Sequence, residues 1–140
     1  MRVPFLLAQA SLTAILLAGC DISDHEAGLV PVAGTVFLAG QPAPRGSVTF
    51  HEDPPRTGQT PIGMIAPDGT YRLFVQGKPG AMPGSYRVTV FVNEASQSGA
   101  GHAGLPKSVI DPKYSRKEST PLVVEVVKDA PADAYDLKLP

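Results

Sequence analysis

Few side chains in this sequence have types and spacings that could do chemistry. The three histidines are His25, His51 and His102, and no two of them stand at the helical or hairpin spacing that a metal ligand pair needs. "HEDPP" gathers His51, Glu52 and Asp53 ahead of two prolines. On a strand, neighbours point to opposite faces, so His51 and Glu52 diverge, and the triplet reads as a solvated strand end with a proline stop. Ser96 and Ser98 lie in "EASQSGAGHAG" with no elbow context for a nucleophile and no base within reach along the chain. The turn Pro67-Asp68-Gly69 offers too few oxygen ligands for calcium. The expectation is a noncatalytic chain with no metal and no cofactor.

The one residue with a defined chemical fate is Cys20, the single cysteine. It follows a positive start at Arg2, an apolar stretch from Val3 to Leu17 interrupted by Gln9, Ser11 and Thr13, and the small residues Ala18 and Gly19. This is the layout of a processing signal. An uncleaved membrane helix is the alternative, but a span needs about 20 mainly apolar residues, and this run is shorter and is followed by Asp21 and Asp24 without a basic flank. Leu17-Ala18-Gly19-Cys20 resembles the lipobox of bacterial lipoproteins, which implies that the thiol carries a diacylglyceryl group and that acyl chains hold the protein on a membrane. Lipidation leaves no thiol for a disulfide, a metal or catalysis. Asp21 reads first as a solvated tether residue; after the lipidated position it also resembles an inner-membrane retention signal. The organisation expected is a signal peptide over 1–19, a lipidated cysteine and flexible tether over 20–30, and one domain over 31–140.

A net charge of −1 provides no basic field for a phosphate backbone, so nucleic acid is not an expected partner. The 15 prolines and 14 glycines punctuate short apolar runs, a pattern of strands and turns. "VAGTVFL" is a strand that reaches the turn Ala39-Gly40; "GSVTFHE" puts Val48 and Phe50 on one face; Ile62 and Met64 precede the Pro67-Asp68-Gly69 turn of a hairpin whose second arm alternates Tyr71, Leu73 and Val75. After a turn at Lys78-Pro79-Gly80, Tyr86, Val88, Val90 and Val92 share one face, and Leu122–Val127 and Tyr135–Leu139 complete about seven strands. Such a set predicts an all-β, antiparallel Greek-key β-sandwich.

The order Gly34-Thr35-Val36, Gly40-Gln41-Pro42, Val48-Thr49-Phe50, Pro67-Asp68-Gly69-Thr70-Tyr71 and Pro83-Gly84-Ser85-Tyr86-Arg87-Val88 resembles the carboxypeptidase regulatory-like, transthyretin-like domain. It is similar, more narrowly, to small planctomycete-type lipoproteins carrying that domain, as are "DPKYSRKESTPLVVEV" and "YDLKL". The resemblance implies a prealbumin-like sandwich used as an accessory domain. Enzymes of that fold class carry motifs this chain lacks: a terminal Tyr-Arg-Gly-Ser in hydroxyisourate hydrolases, and paired tyrosines and histidines around iron in intradiol dioxygenases. Tyr71 and Tyr86 read as core or corner residues whose rings cover a sandwich edge while their hydroxyls reach backbone or water.

The connection from Asn93 to Thr120 is long enough to be functional or disordered. Its first half, Glu94 to Gly104, is rich in Ser, Gly and Ala; its second carries Lys107, Lys113, Arg116 and Lys117 against Asp111 and Glu118. Pro106, Val109, Ile110 and Tyr114 are expected to pin the second half across a sheet edge, with a binding role for the basic cluster as the alternative. The function expected is a membrane-anchored lipoprotein of the cell envelope, on the periplasmic or outer face, whose domain is a structural or protein-interaction module. The alternative is a module that binds a glycan or small ligand, which calls for adjacent exposed aromatics among Phe37, Phe74 and Phe91.

Overall fold

The computed structural model describes residues 28–93 and 108–140. Cys20 and its flanks, His25, Ser96, Ser98, His102, Pro106 and Lys107 lie outside the described residues. The described chain is all-β, with no α-helix: one curled, mainly antiparallel sheet of ten strands and a single 3-10 turn. The strands are β1 (Ala33–Leu38), β2 (Gln41–Pro42), β3 (Gly46–Glu52), β4 (Ile62–Ile65), β5 (Thr70–Arg72), β6 (Phe74–Val75), β7 (Lys78–Pro79), β8 (Gly84–Val92), β9 (Val123–Val126) and β10 (Leu137–Leu139). Their order across the sheet is β10-β1-β5-β4-β3-β8-β9, with β2 on β1 and the hairpin β6-β7 on β4.

The seven runs expected from the sequence break into ten strands for local reasons. Ala39 and Gly40 both take positive φ, the geometry of a two-residue hairpin turn, and so fold β2 back on β1 with Leu38 opposite Gln41. The run from Thr70 to Val75 divides at Leu73, whose N–H leaves the ladder to bond the Val32 carbonyl. The turn expected at Lys78-Pro79-Gly80 instead falls at Gln76-Gly77, again with two positive φ angles, which makes Lys78 and Pro79 a short strand. One pairing departs from the antiparallel expectation: β10 lies parallel to β1, with Val36 opposite Leu137.

The core forms because alternate residues of each strand turn to one side. Val48 and Phe50 on β3, Tyr71, Leu73 and Val75 on the next arm, and Tyr86, Val88, Val90 and Val92 on β8 are all buried. Phe50 sits between two tyrosine rings, 5.7 Å from Tyr86 and 6.5 Å from Tyr71 by centroid, both tilted; such pairs add about 1 kcal/mol each beyond their buried area. Ile62 and Met64 face outward instead, Met64 at 73% exposure. The cause is Gly63, where a Cβ would lie 2.5 Å from the Arg72 carbonyl oxygen, so the bare residue must face the neighbouring backbone and its neighbours must face solvent.

Candidate functional site

The "HEDPP" triplet is pulled apart by the alternation of β3. His51 faces outward, and its Nε2 lies 3.0 Å from Thr89 Oγ1 across the β3–β8 pair. Burial holds its pKa below the ordinary value, helped by the Lys117 ammonium and opposed by Glu118. Glu52 corrects the expectation of a solvated strand end, since it points inward and is buried. Its Oε2 accepts from the N–H groups of Arg56 at 2.8 Å, Thr57 at 2.7 Å and Gly58 at 3.2 Å, and its Oε1 accepts from the Thr57 hydroxyl at 2.6 Å. Burial pushes this carboxyl up, but the four hydrogen bonds to its charged form prevail and bring it down to about 2. Glu52 therefore works as the internal anchor of the loop after β3, while the His51 side chain leaves the strand on the other face. Asp53, next in line, bonds the Ser85 carbonyl through its N–H and pairs with Arg87.

Three tyrosine hydroxyls bond backbone groups, one of them across the fold. Tyr86 donates to the Met82 carbonyl four residues upstream at 2.7 Å, and Tyr71 donates to the Tyr135 carbonyl at 2.6 Å. Burial first, then Asp136 and Tyr135, push the Tyr71 phenol well above its usual value, so it stays a donor. Gly34 allows this meeting, because a Cβ there would lie 2.4 Å from the Tyr135 oxygen. The third hydroxyl, on Tyr135, accepts from Val127 N at 3.3 Å and donates to Val127 O at 3.2 Å, which caps both backbone groups at the end of β9. The sequence marks Tyr135 only as a strand residue; nothing in its spacing signals the cap.

The second half of the long connection covers the edge of β8. Val109 N bonds Val92 O at 3.0 Å, Thr120 Oγ1 donates to Val88 O at 2.6 Å, and Val88 N bonds Leu122 O at 2.9 Å. Ile110 and Tyr114 are buried, the latter in the 3-10 turn Pro112–Ser115 that Asp111 caps, whereas the Val109 side chain is exposed. The basic residues ride on the outside of this strap: Lys113 lies 5.0 Å from the Tyr114 ring and 4.0 Å from Asp111, Arg116 is exposed, and Lys117 is half-buried beside His51.

Phe37 is half-buried, and Phe74 and Phe91 are exposed. The last two stand on β6 and β8 with β4 and β3 between them, about 14 Å apart at the usual strand spacing. They do not form an adjacent aromatic pair. A shallow groove of about 460 Å³ lies along Gly34, Thr35 and Arg72 beside Asp133 and Asp136. Among the described residues no three of His, Cys, Asp and Glu cluster closely enough to hold a metal ion, and no helix is long and apolar enough to cross a membrane. Compared with protein-family models, curated proteins and solved structures, the chain matches none.

Proposed function

We propose that this protein is a noncatalytic lipoprotein of the cell envelope, held on a membrane through acyl chains at Cys20, and that its domain is a transthyretin-like Greek-key sandwich serving as an interaction module. The observation that carries the anchor is the lipobox-like stretch Leu17-Ala18-Gly19-Cys20; the point where the chain joins the sheet sets how far from a membrane such an anchor would hold the domain. Val30 and Ala81 exchange both backbone hydrogen bonds, at 2.8 and 2.9 Å, so the leash ends at a fixed position beside the start of β8. Residues 20–29 then span at most about 35 Å even when fully extended. An acylated Cys20 thus keeps the domain within about one domain diameter of the bilayer. The far end of β8 lies nine residues, about 30 Å, along the strand from its start.

The test is metabolic labelling of the full chain in a bacterial host. Incorporation of labelled fatty acid and partition into detergent are expected for the wild type, and loss of both for Cys20→Ser. Unchanged labelling in the variant would overturn the anchor.

A further inference from the structure

We infer that β9 is a pairing edge, on which a second copy of this chain adds antiparallel about a dyad through Val124. This goes beyond the anchoring proposal and does not depend on it. On β9 the even residues turn their backbone toward β8, as the bond from Val88 N to Leu122 O and the pairs Tyr86–Val124 and Gly84–Val126 require. The odd residues therefore turn their N–H and C=O groups outward. Pro121 has no N–H to offer, and both outward groups of Val127 are taken by the Tyr135 hydroxyl. That leaves Val123 and Glu125, whose strand pairs with β8 alone among the described residues. Between Pro121 and Lys128 the stretch carries one charge, Glu125, and Val123 is 63% exposed; an unpaired edge of this kind is a template for another strand.

Only one register satisfies the edge. Val123 opposite its own copy would set Glu125 against Pro121, which lacks the donor. Glu125 opposite its own copy would set Val123 against the capped Val127. Val123 opposite Glu125 uses both free residues of both copies, four backbone hydrogen bonds in all, and brings the two Val124 residues face to face. Charge favours the same partner. The strap before β9 carries Arg116 and Lys117 against Glu118, a net positive flank, and the segment after it carries exposed Asp129 and Asp133 against Lys128, a net negative one. Antiparallel pairing puts the basic flank of one copy beside the acidic flank of the other, twice over. A longer foreign strand would run into Pro121 at one end and the Tyr135 cap at the other.

The Val124 pair is of the non-hydrogen-bonded kind, with Cα atoms about 4.5 Å apart, inside the range a disulfide spans. Full-length Val124→Cys, purified and treated with a mild oxidant, should yield a disulfide-linked dimer well above the wild-type background, whose only cysteine is Cys20. Met64→Cys, the more exposed site, should stay at background. Adding Arg116→Glu with Lys117→Glu to Val124→Cys should lower the yield several-fold, and Asp129→Lys with Asp133→Lys should restore it. Should Val124→Cys fail to accumulate, Val123→Cys and Glu125→Cys report the same register, cross-linking when expressed together and not singly. Either background yield at Val124→Cys or equal yield at Met64→Cys would overturn the proposal.

Discussion

Glu52 is the one charged side chain buried among the described residues, and its role is positional. Replacing it by Gln keeps the shape but sets an amide against backbone donors. A loss of about 2 kcal/mol near neutral pH is the expected result, the usual worth of hydrogen bonds to a buried charge. Because the folded carboxyl sits near 2 against an ordinary 4.5, the stability it supplies is complete above about 4.5 and vanishes as pH falls through 2. Urea unfolding of wild type and Glu52→Gln should therefore show a gap near neutral pH that closes near pH 2. At Gly34 the prediction is steric: Gly34→Ala should cost about 1–3 kcal/mol, as overpacking does, and should weaken the Tyr71–Tyr135 link, read as lost protection of nearby amides from hydrogen exchange.

Alternation within β4 sets the contrast at the level of the element. Met64→Lys should change stability by no more than about 0.5 kcal/mol, whereas Ile65→Ala, one residue on and buried, should cost about 2–5 kcal/mol; thermal melts of the pair check this. In the strap, Thr120→Val should leave Val88 O and Leu122 N without a buried partner, a cost of about 1–3 kcal/mol. Faster exchange at the Leu122 amide is the specific readout, since that N–H bonds the lost hydroxyl. The strap was legible in outline from Ile110 and Tyr114, whose apolar types suit burial. Its hydrogen-bonding anchor at Thr120 was not, because a threonine beside a proline looks the same in any turn.

Across the described residues, one core cluster links β1, β3, β4, β5, β8, β9, the strap and β10. Phe50→Ala, at the centre of the aromatic trio, should cost about 4 kcal/mol, a large share of the 5–15 kcal/mol typical of a domain. The loss should appear in a single cooperative transition seen alike by far-ultraviolet circular dichroism and by tyrosine fluorescence. At the same scale, Val30 is fixed to Ala81 and β9 ends the strand order of the sheet.

Period-two runs and turn chemistry are local properties, so the all-β class, the Ala39-Gly40 and Pro67-Asp68-Gly69 turns and the inward faces of β3 and β8 could be read from the sequence by itself. The lipobox-like Leu17–Cys20 stretch is equally local, and it remains the whole basis of the anchoring proposal. Tertiary structure decided what depends on how a loop or a neighbouring strand comes back onto a residue. Glu52 became an internal anchor because the loop folds its amides over it, Met64 turned outward because Arg72 backbone passes Gly63, and the free edge of β9 shrank to two residues because Tyr135 reaches back to Val127. Each outcome is a meeting of a polar or bare position with a partner four to nine residues away that the folded loop or neighbouring strand brings back onto it, and residue spacing along a chain does not record that path.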